Sequence, residues 1–102
     1  MKSIDLIIGM EKGEKIIFKV KSKPRRIMHD YICLHGLVPK SEMKDFHHRI
    51  PKNEIWIREN IFNDKWCLNR TIIHETAELK RMVKGMSYKE AHKWAEMADG
   101  FW

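Results

Sequence analysis

Two short isoleucine-rich runs, Ile4 to Ile8 and Lys15 to Val20, flank Gly9-Met10-Glu11-Lys12-Gly13-Glu14 and read as two strands joined by a turn. In the second run Ile16, Phe18 and Val20 alternate with lysines, but Ile17 is apolar as well, which predicts partial cover on both faces. Ser22 is placed to cap a helix, Pro24 suits an early helical position, and Ile27, Met28, Tyr31, Ile32 and Leu34 recur at spacings of three and four up to Gly36. That pattern predicts a first helix. From Leu37 to Pro51 the periodicity fails among Pro39, Ser41, His47, His48 and Pro51, so a loop with one short helical turn is expected. Glu54 to Arg58, set between Asn53 and Asn60, has the look of a short strand at a sheet edge.

The longest helical pattern runs from Asp64 to Lys84 through Trp66, Leu68, Ile72, Ile73, Ala77, Leu79, Met82 and Val83, with Gly85 where a C-terminal cap belongs. Ser87-x-x-Glu90 is a capping box that opens a last helix, whose apolar stripe is Ala91, Trp94, Ala95 and Ala98. The short link Lys84-Gly85-Met86-Ser87 makes these two helices an antiparallel αα-hairpin. The expected class is α+β: a small sheet of about three strands with a backing helix, followed by the helical hairpin. With 102 residues, the chain has room for one domain spanning residues 1–102.

Composition narrows the function classes. At 43% hydrophobic and 10% aromatic residues the chain can build a core, which excludes a disordered tail. No apolar run approaches the roughly 18 residues of a membrane span, and Met1-Lys2 opens no signal-peptide core, so a soluble, cytoplasmic protein is expected. Cys33 and Cys67 stand alone, as suits a reducing compartment. Abundant lysine and glutamate with no glutamine at all resemble a thermophile composition. The net charge of +6 and the cluster Lys19, Lys21, Lys23, Arg25, Arg26 raise a small basic nucleic-acid-binding protein as the alternative. Against it stand the few aromatics interleaved with that cluster and the lack of a helix-turn-helix signature, so nucleic acid ranks second as a partner.

The chemistry lies in His74-Glu75-Thr76-Ala77-Glu78. His74 and Glu78, four apart, project from one helix face and can share one ion. Glu75 lies about 100° around the helix from His74, beside such an ion and free to hold a water. At about 1.5 Å per residue, Glu78 sits roughly 9 Å before the interhelical turn and His92 roughly 6 Å after it, nearly level. Glu96, at roughly 12 Å, falls opposite His74, at roughly 15 Å, where a carboxylate would orient the imidazole. Two histidines and one glutamate leave an open position for water, the arrangement of a catalytic rather than structural zinc site. Zinc would acidify that water and polarise a carbonyl, and Glu75 would carry the proton to the leaving amine, giving peptide-bond hydrolysis.

Ile73-His74-Glu75-x-x-Glu78, Met82, Gly85-Met86-Ser87-Tyr88, Ala91-His92 and Ala95 together resemble the minigluzincins, very small metallopeptidase-like proteins related to thermolysin. The resemblance implies an α+β scaffold, an active-site helix following an edge strand, and a next helix that supplies a histidine as third zinc ligand. It implies a peptide or protein substrate, laid by analogy as an added strand along Glu54 to Arg58. It also implies latency through the C-terminal segment, here ending in Phe101-Trp102, as a covering tail or as a helix exchanged between two copies of a homodimer. Most zincins carry histidine where this chain has Glu78, which adds negative charge around the ion and makes its water less acidic. A non-catalytic metal-binding scaffold is therefore a further alternative.

Blander readings apply to the same residues. His74, Glu75 and Glu78 also suit a solvated helix face, His92 a surface histidine, and Glu96 a pair with Lys93 or Lys89. Tyr88 could donate to a developing oxyanion, but a tyrosine opening a helix more often packs. Cys33-x-His35, His47-His48 and Cys67 match no standard zinc finger. Trp56, Trp66, Trp94 and Trp102 are expected as core or interface anchors, and Met82, Met86 and Met97 as core fillers.

Overall fold

The structure, a computed structural model, describes residues 3–9 and 13–99, without the side chains of residues 98 and 99. The tip of the first turn, the Ala98 side chain and the Phe101-Trp102 tail expected to confer latency lie outside the described residues. Among the described residues no helix is long and apolar enough to cross a membrane. The chain falls into two compact units, Met1–Asn63 and Asp64–Trp102.

The first unit is built on an antiparallel hairpin of β1 (Ser3–Gly9) and β2 (Lys15–Lys23), in which Ile4, Leu6 and Ile8 face Val20, Phe18 and Ile16. After α1 (Arg25–Met28) come β3 (Cys33–His35), a single 3-10 turn at Lys40–Glu42, β4 (Glu54–Arg58) and α2 (Glu59–Phe62). The sheet order is β1-β2-β4-β3, with β4 parallel to β2 and antiparallel to β3. The α+β class is as expected, with four strands rather than about three.

The extra strand comes out of the expected first helix. Periodicity over residues 24–36 predicts one continuous helix, but α1 stops at Met28, where His29 takes φ 54° and gives its N–H to the Arg25 carbonyl. Arg58 then anchors the following segment, its N–H on the Ile32 carbonyl at 2.9 Å and its Nη1 on the His29 carbonyl at 2.8 Å. Ser22 lies inside β2 rather than at a cap, and Pro24 occupies the N-cap position.

A second correction concerns β4, which is an interior strand and not an edge. Ile55, Trp56 and Ile57 are all buried, as expected of a strand covered on both faces. Both of its sides are hydrogen-bonded within the sheet, so no peptide can add to it. Trp56 is covered by the connection between β3 and β4: its ring meets Phe46 edge-on at 6.1 Å, and Phe46 meets Tyr31 at 6.0 Å. Val38, Met43, Phe46 and Ile50 are buried too, so the stretch read as a loop is a packed segment.

Gly36 sets how closely that segment lies. A Cβ there would collide with the Pro51 carbonyl and with the Lys52 Cα, all backbone atoms that have no rotamer to yield. Gly36→Ala should cost about 1–3 kcal/mol, read as a lower denaturation midpoint with an unchanged slope.

Three of the four lysines of β2 already have partners. Lys19 lies 3.5 Å from Asp5, Lys21 lies 2.9 Å from Glu54, and Lys23 Nζ sits 4.3 Å over the Trp56 ring. Glu54 also accepts from the Trp56 indole N–H at 2.9 Å. Burial pushes the Glu54 carboxyl up, but the Trp56 and Lys21 hydrogen bonds, with the charges of Lys21 and Lys23, outweigh it and hold the group below its ordinary value. A carboxyl depressed in the folded state adds stability above its unfolded pKa and loses it as pH falls through the folded one. The melting temperature should therefore drop on acidification from about pH 4.5 downward, and Glu54→Gln should flatten that drop.

The second unit is the expected helical hairpin. Asp64 caps α3 (Lys65–Met82) by accepting from the N–H groups of Trp66 and Cys67 at 3.1 Å. Just past the helix, Gly85 takes φ 104°, which lets Met86 N–H reach the Arg81 carbonyl at 3.1 Å, and Gly85 N–H reaches the Met82 carbonyl at 3.0 Å. Glu90 N–H donates to Ser87 Oγ at 3.3 Å as α4 (Tyr88–Asp99) begins, which fulfils half of the capping box. Ala91 and Ala95 are buried, whereas Trp66, Ile73, Trp94 and Met97 are about half exposed or more, so Met97 is not the core filler expected. Arg70 lies 4.8 Å over Trp66 and Arg81 lies 5.4 Å over Trp94, so guanidinium planes cover part of both indoles.

Candidate metal centre

The buried stripe of α3 is Thr71, Glu75, Glu78 and Leu79, a helical face in which two of four residues are carboxylates. Thr71 is satisfied locally, its hydroxyl donating to the Cys67 carbonyl at 2.8 Å. Glu78 is 2% exposed and Glu75 is 6% exposed, and a carboxylate oxygen of each lies within 4.8 Å of the other. Two buried carboxylates at that distance repel unless a positive group stands near them.

His92 of α4 stands beside Glu78. Its Nδ1 lies 2.9 Å from Glu78 Oε1, and its Nε2 lies 3.0 Å from Glu96 Oε1 one turn further on. Tyr88 stacks on the same imidazole, centroids 5.4 Å apart and planes inclined by 23°, while His74 meets it edge-on at 5.1 Å. A neutral imidazole has one N–H, so it can donate to only one of the two carboxylates and turns a lone pair toward the other. A cation on that second side, either a proton or a metal ion, removes the repulsion.

A divalent ion fits the donors. One ligand atom from each of His74, Glu78 and His92 lies within 4.8 Å of the others. Ligands bound at about 2.0–2.2 Å stand at most about 4.4 Å apart, and about 3.4 Å apart around a tetrahedral ion, so closure changes any of these separations by about 1.4 Å or less. Two imidazoles and a carboxylate, one ligand from each of two turns of α3 and a third from α4, are a set of nitrogen and oxygen donors suited to a borderline ion. Glu96 behind Nε2 completes the carboxylate–histidine pairing that orients such ligands.

Counting residues along the helices brought Glu78 level with His92, and the two side chains meet. Glu96 was expected to face His74, and the imidazole it contacts is that of His92 on its own helix. Glu75 is on the buried stripe beside Glu78. Tyr88 is a stacking partner for His92, a role its i, i+4 spacing made findable. The burial of Glu75 and Glu78 could have been read from their sharing a face with Thr71 and Leu79. Among the described residues neither cysteine, nor His47 or His48, enters a ligand cluster. Burial pushes the Cys67 thiol up and Asp64 adds to the shift, which disfavours a thiolate ligand there. No protein-family model, no curated protein and no solved structure matches this chain.

Proposed function

We propose that the chain is a zinc-dependent, peptidase-like protein of the minigluzincin type, with His74, Glu78 and His92 as ligands and Glu75 as general base. The reading rests on one observation: two imidazoles and a buried carboxylate converge from two adjacent helices, with Glu96 behind one of them. Zinc is favoured by the mixed histidine and carboxylate donors and by a count of three protein ligands, which leaves a position for a substrate or water. When bound, the ion supplies Lewis acidity to a peptide carbonyl and lowers the pKa of water. Glu75 takes the proton of the attacking water and passes it to the leaving amine, Glu78 neutralises part of the ion's charge, and Glu96 fixes the ring of His92. The nucleic-acid reading is the weaker one, since Lys19, Lys21 and Lys23 are engaged by Asp5, Glu54 and Trp56.

Elemental mass spectrometry of the purified chain, with His74→Ala and His92→Ala beside it, tests the reading. About one zinc per chain, lost in both variants, is the expected result. No metal after zinc reconstitution would overturn it. Bound zinc with no cleavage of any peptide library would leave a metal-binding scaffold and remove the peptidase.

A further inference from the structure

β1 is the outermost strand of the sheet on its side, and it carries few of the devices that protect such an edge. Its seven residues, Ser3-Ile4-Asp5-Leu6-Ile7-Ile8-Gly9, include no proline and no lysine, their one charge, Asp5, is paired with Lys19 of β2, and their register against β2 runs unbroken by a bulge. Apolar side chains are exposed on both of its faces, Ile4 at 39% on one and Ile7 at 56% on the other. Ile7 pairs across the ladder with Ile17, itself 52% exposed, so two isoleucines stand side by side in water at the rim of the sheet.

We infer that a second copy of this chain covers this edge, with β1 pairing antiparallel to β1 of the partner across a twofold axis at Ile7. The side chains favour that register over those centred on Asp5 or Leu6. A twofold axis perpendicular to the sheet keeps each face on its own side, so only residues of like parity can stand opposite one another. Centring the axis on Asp5 would set the two Asp5 carboxylates face to face, and centring it on Leu6 would set Asp5 against Ile7. Centring it on Ile7 makes a row of four isoleucines, Ile17 and Ile7 of one copy followed by Ile7 and Ile17 of the other. On the opposite face Leu6 and Ile8 then meet Ile8 and Leu6 of the second copy, each flanked by Phe18 or Ile16 of β2. Asp5, beside its own Lys19, stands opposite the second copy's Gly9, which has no side chain to hinder the neighbouring Lys15 from reaching it. The product is a continuous eight-stranded sheet, twice the order β1-β2-β4-β3, whose two outer edges are the three-residue strands β3. A closed pair results, not an open fibre.

Two variants of the full chain decide the matter. Directly opposite Cα atoms in an antiparallel pair are about 4.5–5.5 Å apart, within disulfide range, whereas the two Ile17 positions are three strand spacings apart, about 14 Å. Ile7→Cys should form an intermolecular disulfide under mild oxidation, and Ile17→Cys, comparably exposed, should not, nor should the parent chain with Cys33 and Cys67. In sedimentation velocity the parent should be a dimer at tens of micromolar, and Ile7→Lys should raise the dimer dissociation constant at least about tenfold while leaving the circular dichroism unchanged. A parent that stays monomeric at these concentrations would overturn the pairing. So would crosslinking no faster at Ile7→Cys than at Ile17→Cys, including in a dimer formed through the C-terminal helix.

Discussion

Titrating zinc into the purified chain is expected to raise its melting temperature, and Glu78→Ala is expected to abolish that rise. An ion that binds only the folded state stabilises it by RT ln(1 + [ion]/Kd), about 4 kcal/mol at a thousandfold excess over Kd. For a chain of this length each kcal/mol moves the midpoint by about 4–8 °C, so the effect is large on any calorimetric scale. On the proposed reading Glu78 is the ligand whose loss should matter most, because it is the one buried at 2% and it also holds Nδ1 of His92. Without it the two histidines offer neutral nitrogens only, and zinc affinity should fall at least about a hundredfold. The metal-free protein gives a second reading of the same residue. Glu78→Gln keeps the shape but removes the charge that faces His92, and should weaken the metal-free fold less than Glu78→Ala, which also leaves a cavity on the buried stripe. Differential scanning calorimetry with and without zinc on the three proteins separates the two effects. A zinc-induced rise that survives Glu78→Ala would remove Glu78 from the ligand set.

The second large effect is expected in turnover. On the proposed reading, Glu75→Gln should lower peptide hydrolysis by about 10²–10⁴-fold, the usual contribution of a positioned general base, while zinc content stays at the parent value. Glutamine fills the same volume on the buried stripe of α3 and hydrogen-bonds, but it cannot accept and return a proton. The decisive feature is the split between readouts, since a purely structural Glu75 would lower stability and activity together. Single-turnover cleavage of a peptide library by both proteins, with metal content determined on the same samples, checks it. Equal rates would assign Glu75 to structure alone.

Element boundaries were legible wherever the signal was local. Gly85 and Ser87 between α3 and α4, the strand at Glu54–Arg58 and the hairpin of β1 and β2 all follow from residues within a few positions of each other, although β2 runs on through Ser22 to Lys23. What failed was partnership. Tyr31, Ile32 and Leu34 continue a helical period, yet Cys33–His35 is drawn into pairing with β4, a strand that lies beyond the whole packed connection. The alternation of Glu54–Arg58 described a strand correctly and misplaced it, since an edge and a centre differ in neighbours the local pattern does not record. The approach of Glu78 to His92 was legible because it arises within one hairpin, where helical rise and a short turn fix which residues are level. Glu96 went to His92 instead of His74 because the i, i+4 contact on its own helix is nearer than one across the hairpin.

The central position of β4 also governs how the chain comes together during its synthesis. Lys19 of β2 must wait for Glu54, about 35 residues later, before the parallel half of the sheet can begin. At a translation rate of about 5–20 residues per second the interval is about 2–7 s. A β-hairpin closes in about 1–10 μs, so β1 and β2 spend nearly all of that time already paired with each other and still lacking the strand that completes them. Val20, buried completely in the finished sheet, is left at the open margin of a two-stranded ribbon for seconds, and nascent-chain chaperones have that long in which to find it.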